Sequence, residues 1–378
     1  VRNLLEVGQG NEIAITAPNR KPLNYNGLRI HVDLIGEQLA SIGLKNSDRV
    51  AIVLPNGPEM ATAFLAVASY MSAAPLNPSY KEAEYEFYLE DLKPKLVIVE
   101  ENTSNPVVKA AKKLSIPIAE ISVDKDNAAG EFSLFETRKS IDIPSIEMEA
   151  LVLHTSGTTS RPKVVPLTQS NLVASAGNIS DTLKLKEADH SLNIMPLFHI
   201  HGLIAVLCAS ISAGSSVCCT PGFNALKFFE LANSQKITWY SGVPTMHQAI
   251  LLRGQRQADV AKALNLRFIR SSSASLPPAV FDELIALFNC PVIEAYGMTE
   301  ATHQMTSNPL PPKKQKAGFV GLPAGPEVCI MDVSGNKLVN GEEGEVCIKG
   351  DNVTPGYDKN PEANSQSFTD GWFRTGDQ

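Results

Sequence analysis

The chain has 378 residues, 43% hydrophobic and 19% charged, and its 33 Lys and Arg against 40 Asp and Glu leave a net charge of −7. Such a length exceeds one small core and asks for roughly two or three folding units. No tract of about 18 uninterrupted apolar residues and no cationic start before an apolar core occurs, which argues against a membrane span, and an acidic balance without a basic patch argues against duplex nucleic acid.

Residues 24–43 (NYNGLRIHVDLIGEQLASIG) place Leu28, Val32, Ile35, Leu39 and Ile42 at helical spacing, with Gly43 as the stop. Arg49–Leu54 reads as a buried strand, and Pro58–Met71 as an Ala-rich apolar helix. The strand, turn, helix order repeats at Ala74–Leu76, at Glu82–Leu92, at Lys95–Val99 and near Ile116–Ile121. This alternation predicts a doubly wound α/β sheet buried on both faces.

A loose acidic segment, 124–149, precedes the strand Leu151–His154. Thr155, Ser156, Gly157, Thr158, Thr159 and Ser160 follow, then Arg161, Pro162 and Lys163. A Gly within hydroxylated residues lets backbone N–H groups turn around an anion, and the Lys neutralises charge. The same residues also suit a polar strand-to-helix turn, and the GxxxxGK[ST] of the common P-loop is absent. Thr168–Leu183 is expected to be a helix and Ser191–Met195 a strand. Next come an apolar helix between Pro196 and Gly214 and the strand Ser216–Cys219. Ile237–Ser241, Leu266–Arg270 and Pro291–Ala295 continue the rhythm, so a second α/β sheet is predicted.

After Asn308 a Pro-rich basic connector (LPPKKQKAG) leads into segments with a period of two, Glu327–Asp332, Lys337–Val339 and Glu345–Lys349, with glycines at the turns. An all-β unit, a small barrel, is expected over 316–378, after α/β units over 48–185 and over 1–47 with 186–310. The ending WFRTGDQ carries no closing element, which suggests a truncated protein. The six cysteines lack CxxC and zinc spacing, and buried reduced thiols in an intracellular compartment are the favoured reading.

Four further stretches carry chemistry. Met195–Gly202 holds His199 and His201, either of which alone reads as a satisfied core histidine. Ser271–Ser275 follows a strand, where a ligand would meet the carboxyl end of a parallel sheet. Tyr296–Glu300 (YGMTE) offers an aromatic face, a hydroxyl and a carboxylate, and Arg374–Asp377 is a turn whose carboxylate suits a sugar diol.

Together, TSGTTSRPK, YGMTE, GEVCIKGDNVTPGY and FRTGD resemble the phosphate, adenine and magnesium, β and ribose motifs of the acyl-adenylate-forming superfamily, over essentially the whole chain. HTSGTTSRPK, MPLFHIHG, RSSSASLPP and NVTPGYDKNPEAN are most similar to its oxalate–CoA ligase branch, near the 4-coumarate–CoA ligase-like synthetases. The resemblance implies the N-terminal domain of that fold, with two α/β subdomains and a β-barrel, its C-terminal lid domain absent.

It also implies an ATP- and Mg²⁺-dependent acid–CoA ligase that forms an acyl-AMP, releases pyrophosphate and passes the acyl group to CoA. Thr155, Ser156, Gly157, Thr158, Thr159 and Lys163 would hold the β- and γ-phosphates, and Thr299 the α-phosphate. Glu300 would bind Mg²⁺. Tyr296 would stack on adenine, lined by Ser273, Ala274, Ser275, Glu294 and Ala295, with Gly297 and Met298 completing the motif and Asp377 accepting from the ribose. His199 would gate the thiol tunnel at the acyl pocket.

Ser160 and Val164 stand where glycines are usual in the superfamily, and Val164 is expected to stiffen the loop. A small dicarboxylate such as oxalate is the expected acid, on the polar candidates His199, Arg270, Ser271 and His303. The alternatives are a fatty or aryl acid, an adenylation domain loading a carrier protein, and a nucleotide-binding module without turnover. Either cytoplasm or peroxisome suits these expectations.

Overall fold

The computed structural model describes residues 1–155, 161–339 and 341–378. Its strands form two large sheets and one small one. The six-stranded sheet runs, edge to edge, Ile118–Ile121, Leu96–Glu100, Arg49–Val53, Ser72–Pro75, Glu149–His154 and Val164–Thr168. All neighbours are parallel except the last pair. The nine-stranded sheet runs Leu322–Pro323, His303–Ser307, Val292–Met298, Phe268–Ser271, Trp239–Gly242, His190–Asn193, Ser216–Cys219, Ile13–Thr16 and Leu23–Asn24.

Strand periodicity explains the layering. In RVAIV, Val50 and Ile52 point into the core shared by both sheets, while Ala51 and Val53 point to the opposite face. Helices Glu82–Leu92 and Val107–Lys113 cover that outer face, and Phe228–Ser234, Pro244–Gly254 and Pro278–Phe288 cover the far face of the larger sheet. Between the sheets lie Tyr25–Ser41, Pro58–Tyr70, Gln169–Thr182 and the apolar segment 201–212. The order is therefore helix, sheet, helix, sheet, helix, and strands buried on both faces need the continuous apolar runs seen in the sequence.

Local chemistry sets the boundaries. Asn24 caps Tyr25–Ser41 by accepting from the Gly27 N–H at 2.8 Å. Gly36 lets that helix approach Pro58–Tyr70, since a Cβ there would lie 2.4 Å from the Tyr70 ring. The apolar helix beginning at Pro196 opens instead as a π-helix, His201–Cys208, before one α turn at Ala209–Ser212.

Two expectations change. The loop after His154 joins two antiparallel strands rather than a strand and a helix, because VVPLT pairs back onto Glu149–His154. Pro166 is tolerated there because Val164–Thr168 is the sheet edge. The chain also leaves the larger sheet only after Pro323, later than residue 310, since Leu322–Pro323 pairs with His303–Ser307. The β unit then forms a four-stranded antiparallel sheet, Glu327–Met331, Glu345–Lys349, Trp372–Arg374 and Phe368–Thr369.

Candidate active site

The site lies where the carboxyl ends of both sheets meet the β unit. Ser156, Gly157, Thr158 and Thr159, with Ser160, lie outside the described residues. The base of their loop is set by Thr155, whose N–H donates to the Lys163 carbonyl at 2.9 Å and whose hydroxyl accepts from the Lys163 N–H at 3.0 Å. Asp91 adds a second tie, accepting from Arg161 at 2.9 Å and lying 2.9 Å from His154 Nε2. Val164 begins the next strand and is buried.

Glu300 sits in a short 3₁₀ turn, Thr299–Ala301, after Val292–Met298. Its buried carboxylate accepts from the Tyr357 hydroxyl at 2.8 Å through Oε1. The Lys163 ammonium stands 4.5 Å from the centre of the same Tyr357 ring. Burial, then the charge of Glu300, raise the Tyr357 phenol above its usual value, so it stays protonated and donates. The turn is possible because Gly297 lies against the returning strand, where a Cβ would fall 1.6 Å from the His303 carbonyl oxygen.

Tyr296 donates to Asp377, which joins the expected adenine and ribose residues directly. Val346 N–H to the Asp377 carbonyl, 2.9 Å, anchors that turn to the β unit. Arg374 is occupied by Glu345. The Glu294 side chain is buried and accepts from the Gly318 N–H at 2.9 Å, so it braces the connector, and its pKa is raised by burial. Ser273, Ala274 and Ser275 are exposed, with Ser273 in the left-handed region at φ 71°. Its hydroxyl turns to His201 Nδ1 at 3.0 Å rather than along the base-lining segment. Ala295 is buried and supplies a carbonyl to Ser272 at 2.8 Å.

Beneath these residues lies a polar cluster that sequence reasoning reached only in part. Arg270 is fully buried on Phe268–Ser271. Among the described residues it contacts only neutral partners, Ser241 at 3.4 Å, Gln304 Oε1 at 3.2 Å and His303 Nδ1 at 3.5 Å, and its Nε has none. Burial pulls the guanidinium down to about 9, still charged at neutral pH. Among the described residues no carboxylate pairs with it. Ser271 Oγ beside it is also buried, with no partner among the described residues.

His303 is buried, not a loop residue, and is held at φ 95° with its ring centre 4.9 Å from that of His201. Burial, then Arg270, keep both imidazoles far below their usual value and neutral. His201 is satisfied at both nitrogens, by Ser273 and by Ser241 at 2.6 Å. His199 stands apart, packed on Phe198 at 4.6 Å. With Tyr80, Tyr88, His154 and Thr299 it lines a small cavity of about 70 Å³. Tyr357, Gln304 and Ser241 escaped the sequence reading. For Tyr357 the only signal was its place within GYDKNPEAN.

Residues 6–358 match the family described as AMP-binding enzyme. An oxalate–CoA ligase of Arabidopsis thaliana is 42% identical over 97% of this chain and 74% of its own length. One from Saccharomyces cerevisiae is 42% identical over 88% of this chain and 66% of its own length. The crystal structure of ATP-bound MatB from Rhodopseudomonas palustris superposes with a TM-score of 0.86 at 26% identity, covering 99% of this chain and 75% of that one.

Proposed function

The chain belongs to the AMP-binding enzyme family and is an acid–CoA ligase, and we propose that the acid it activates is a small dicarboxylate, with oxalate as the best fit. The observation that carries this reading is Arg270, a buried cation with no anionic partner among the described residues. An unpaired buried charge costs several kcal/mol, and a second carboxylate on the substrate would supply the missing counter-charge. Ser271 and His303 line the same point, whereas a fatty-acid tunnel would call for small apolar groups there. The two oxalate–CoA ligases above support the same substrate class.

In this reading the substrate carboxylate attacks the α-phosphorus of ATP, pyrophosphate leaves, and CoA thiolate then displaces AMP. Thr155, Lys163 and the loop between them hold the leaving pyrophosphate, and Thr299 the α-phosphate. Tyr296 and the segment Ser273–Ser275 flank the adenine, and Asp377 takes the ribose hydroxyls. Among the described residues Glu300 Oε2 accepts no hydrogen bond, which leaves one hard oxygen free and fits Mg²⁺. When bound, that ion would neutralise phosphate charge. No protein nucleophile is required, since alignment and screening of two anions lower the barrier. His199, neutral because burial lowers its pKa, would stand at the acyl side of the tunnel.

Pyrophosphate exchange by the full-length protein over oxalate, malonate, coumarate and octanoate tests the substrate. Oxalate should give the highest kcat/KM. Best activity on octanoate or coumarate would overturn the dicarboxylate assignment.

A further inference from the structure

We infer that Tyr357 is a positioning residue that couples the phosphate-loop lysine to the metal-binding carboxylate; the inference rests on the roles proposed above for Lys163 and Glu300. A single buried side chain touches both groups: its hydroxyl donates to Glu300 Oε1 at 2.8 Å, and its ring face carries the Lys163 ammonium at 4.5 Å. These groups come from different places. Glu300 follows a strand of the nine-stranded sheet, Lys163 precedes the edge strand of the six-stranded one, and Tyr357 belongs to the segment between the strands of the β unit.

The backbone on either side of the phenol is anchored. Asn364 accepts from the Tyr357 N–H at 2.7 Å and donates to its carbonyl at 2.9 Å. The next residue, Asp358, gives its N–H to the Val164 carbonyl at 3.0 Å, one position beyond Lys163, and its carboxylate pairs with Arg49 at 3.0 Å. On the other side Thr354 gives its N–H to the Glu300 carbonyl at 2.7 Å and its hydroxyl to the Pro166 carbonyl at 2.7 Å. Residues 354–358 thus strap the backbone of the metal turn to the backbone of the loop stem, and Tyr357 repeats that link between their side chains.

The consequence is a division of labour within one side chain. By occupying Oε1, the hydroxyl orients Glu300 and leaves Oε2 as the oxygen that would hold Mg²⁺; the ring face fixes the height of the Lys163 ammonium without neutralising it, as a carboxylate partner would. A cation over an aromatic face keeps its charge available to phosphate.

The test separates the two halves. Calorimetric titration of ATP into the full-length protein, repeated across Mg²⁺ concentrations, reads metal and nucleotide binding without turnover. Tyr357→Phe keeps the ring and loses the hydroxyl, and should raise the Mg²⁺ needed for half-maximal ATP affinity about tenfold or more, the usual weight of a hydrogen bond to a charged group. Its affinity at saturating Mg²⁺ should stay near wild type, while its Tm should fall by only a few degrees, because buried Glu300 Oε1 loses its donor. Tyr357→Leu should in addition weaken ATP binding at saturating Mg²⁺ by about threefold or more. An unchanged Mg²⁺ dependence in Tyr357→Phe overturns the inference, and because that variant removes a single oxygen, the result stands even if Tyr357→Leu fails to fold. Wild-type protein that binds no ATP would overturn the proposed function itself instead.

Discussion

Replacing Arg270 by Met tests the central electrostatic argument, because it should move stability and activity in opposite directions. The guanidinium's fall from its ordinary value to about 9 corresponds to a burden of up to about 5 kcal/mol on the ligand-free fold at neutral pH. Removing the charge relieves that burden, while stranding Ser241 and Gln304 takes back about 1–3 kcal/mol. The ligand-free variant should therefore melt a few degrees higher than wild type. With substrate bound the balance inverts. A second carboxylate now lies buried without a counter-charge, at a cost of about 3–5 kcal/mol, or about 10²- to 10⁴-fold in kcat/KM. Pyrophosphate exchange with oxalate and with acetate, alongside thermal melts, reads all three effects. Acetate carries no distal carboxylate, so its kcat/KM should not fall. A variant that melts lower and keeps oxalate activity within tenfold of wild type would refute the reasoning.

The remaining predictions concern the loop stem, the metal turn and the core. Lys163→Ala should lower pyrophosphate exchange by about 10²- to 10³-fold, the usual loss for one preorganised charge donor, with little change in the urea midpoint because the ammonium lies over a ring rather than in a buried ion pair. Gly297→Ala should destabilise by about 3 kcal/mol or more, since its methyl would overlap the His303 carbonyl; an unshifted urea midpoint would contradict the close approach.

Stability should also fall on mild acidification. His31 and His247 are buried, and burial lowers each to about 4. The unfolded chain then takes up protons near pH 6.5 that the folded chain refuses until about pH 4, so stability present above pH 6.5 is lost as pH falls through that window. Between pH 7 and pH 5 the loss should be about 2 kcal/mol per histidine. Urea titrations of wild type and His31→Phe at both pH values check it, and the variant should show the smaller drop.

Most of the fold was legible because its strands are buried on both faces and its helices are amphipathic or wholly apolar. Runs such as RVAIV and the spacing of Leu28, Val32, Ile35 and Leu39 need no partner to be read. The strand Val164–Thr168 was missed because its pairing with Glu149–His154 is made across the serine- and threonine-rich segment between them, and nothing local distinguishes VVPLT from the start of the helix that follows. His303–Ser307 was missed likewise, since HQMTS owes its strand conformation to the neighbours it lies between.

At the site, Lys163, Tyr296, Thr299, Glu300 and Asp377 were singled out through the motif resemblance, and each carries a group that phosphate, base, metal or sugar chemistry requires. Their mutual arrangement was beyond the linear chain. That Arg270 meets no carboxylate among the described residues depends on which side chains the neighbouring strands bring around it, and that Tyr357 reaches both Lys163 and Glu300 depends on where the β unit docks. A motif specifies which functional groups are present. Their charge state, orientation and coupling arise from burial and from contacts between residues far apart in the chain, such as Lys163 and Tyr357, 194 positions apart, and those exist only once the three sheets have packed.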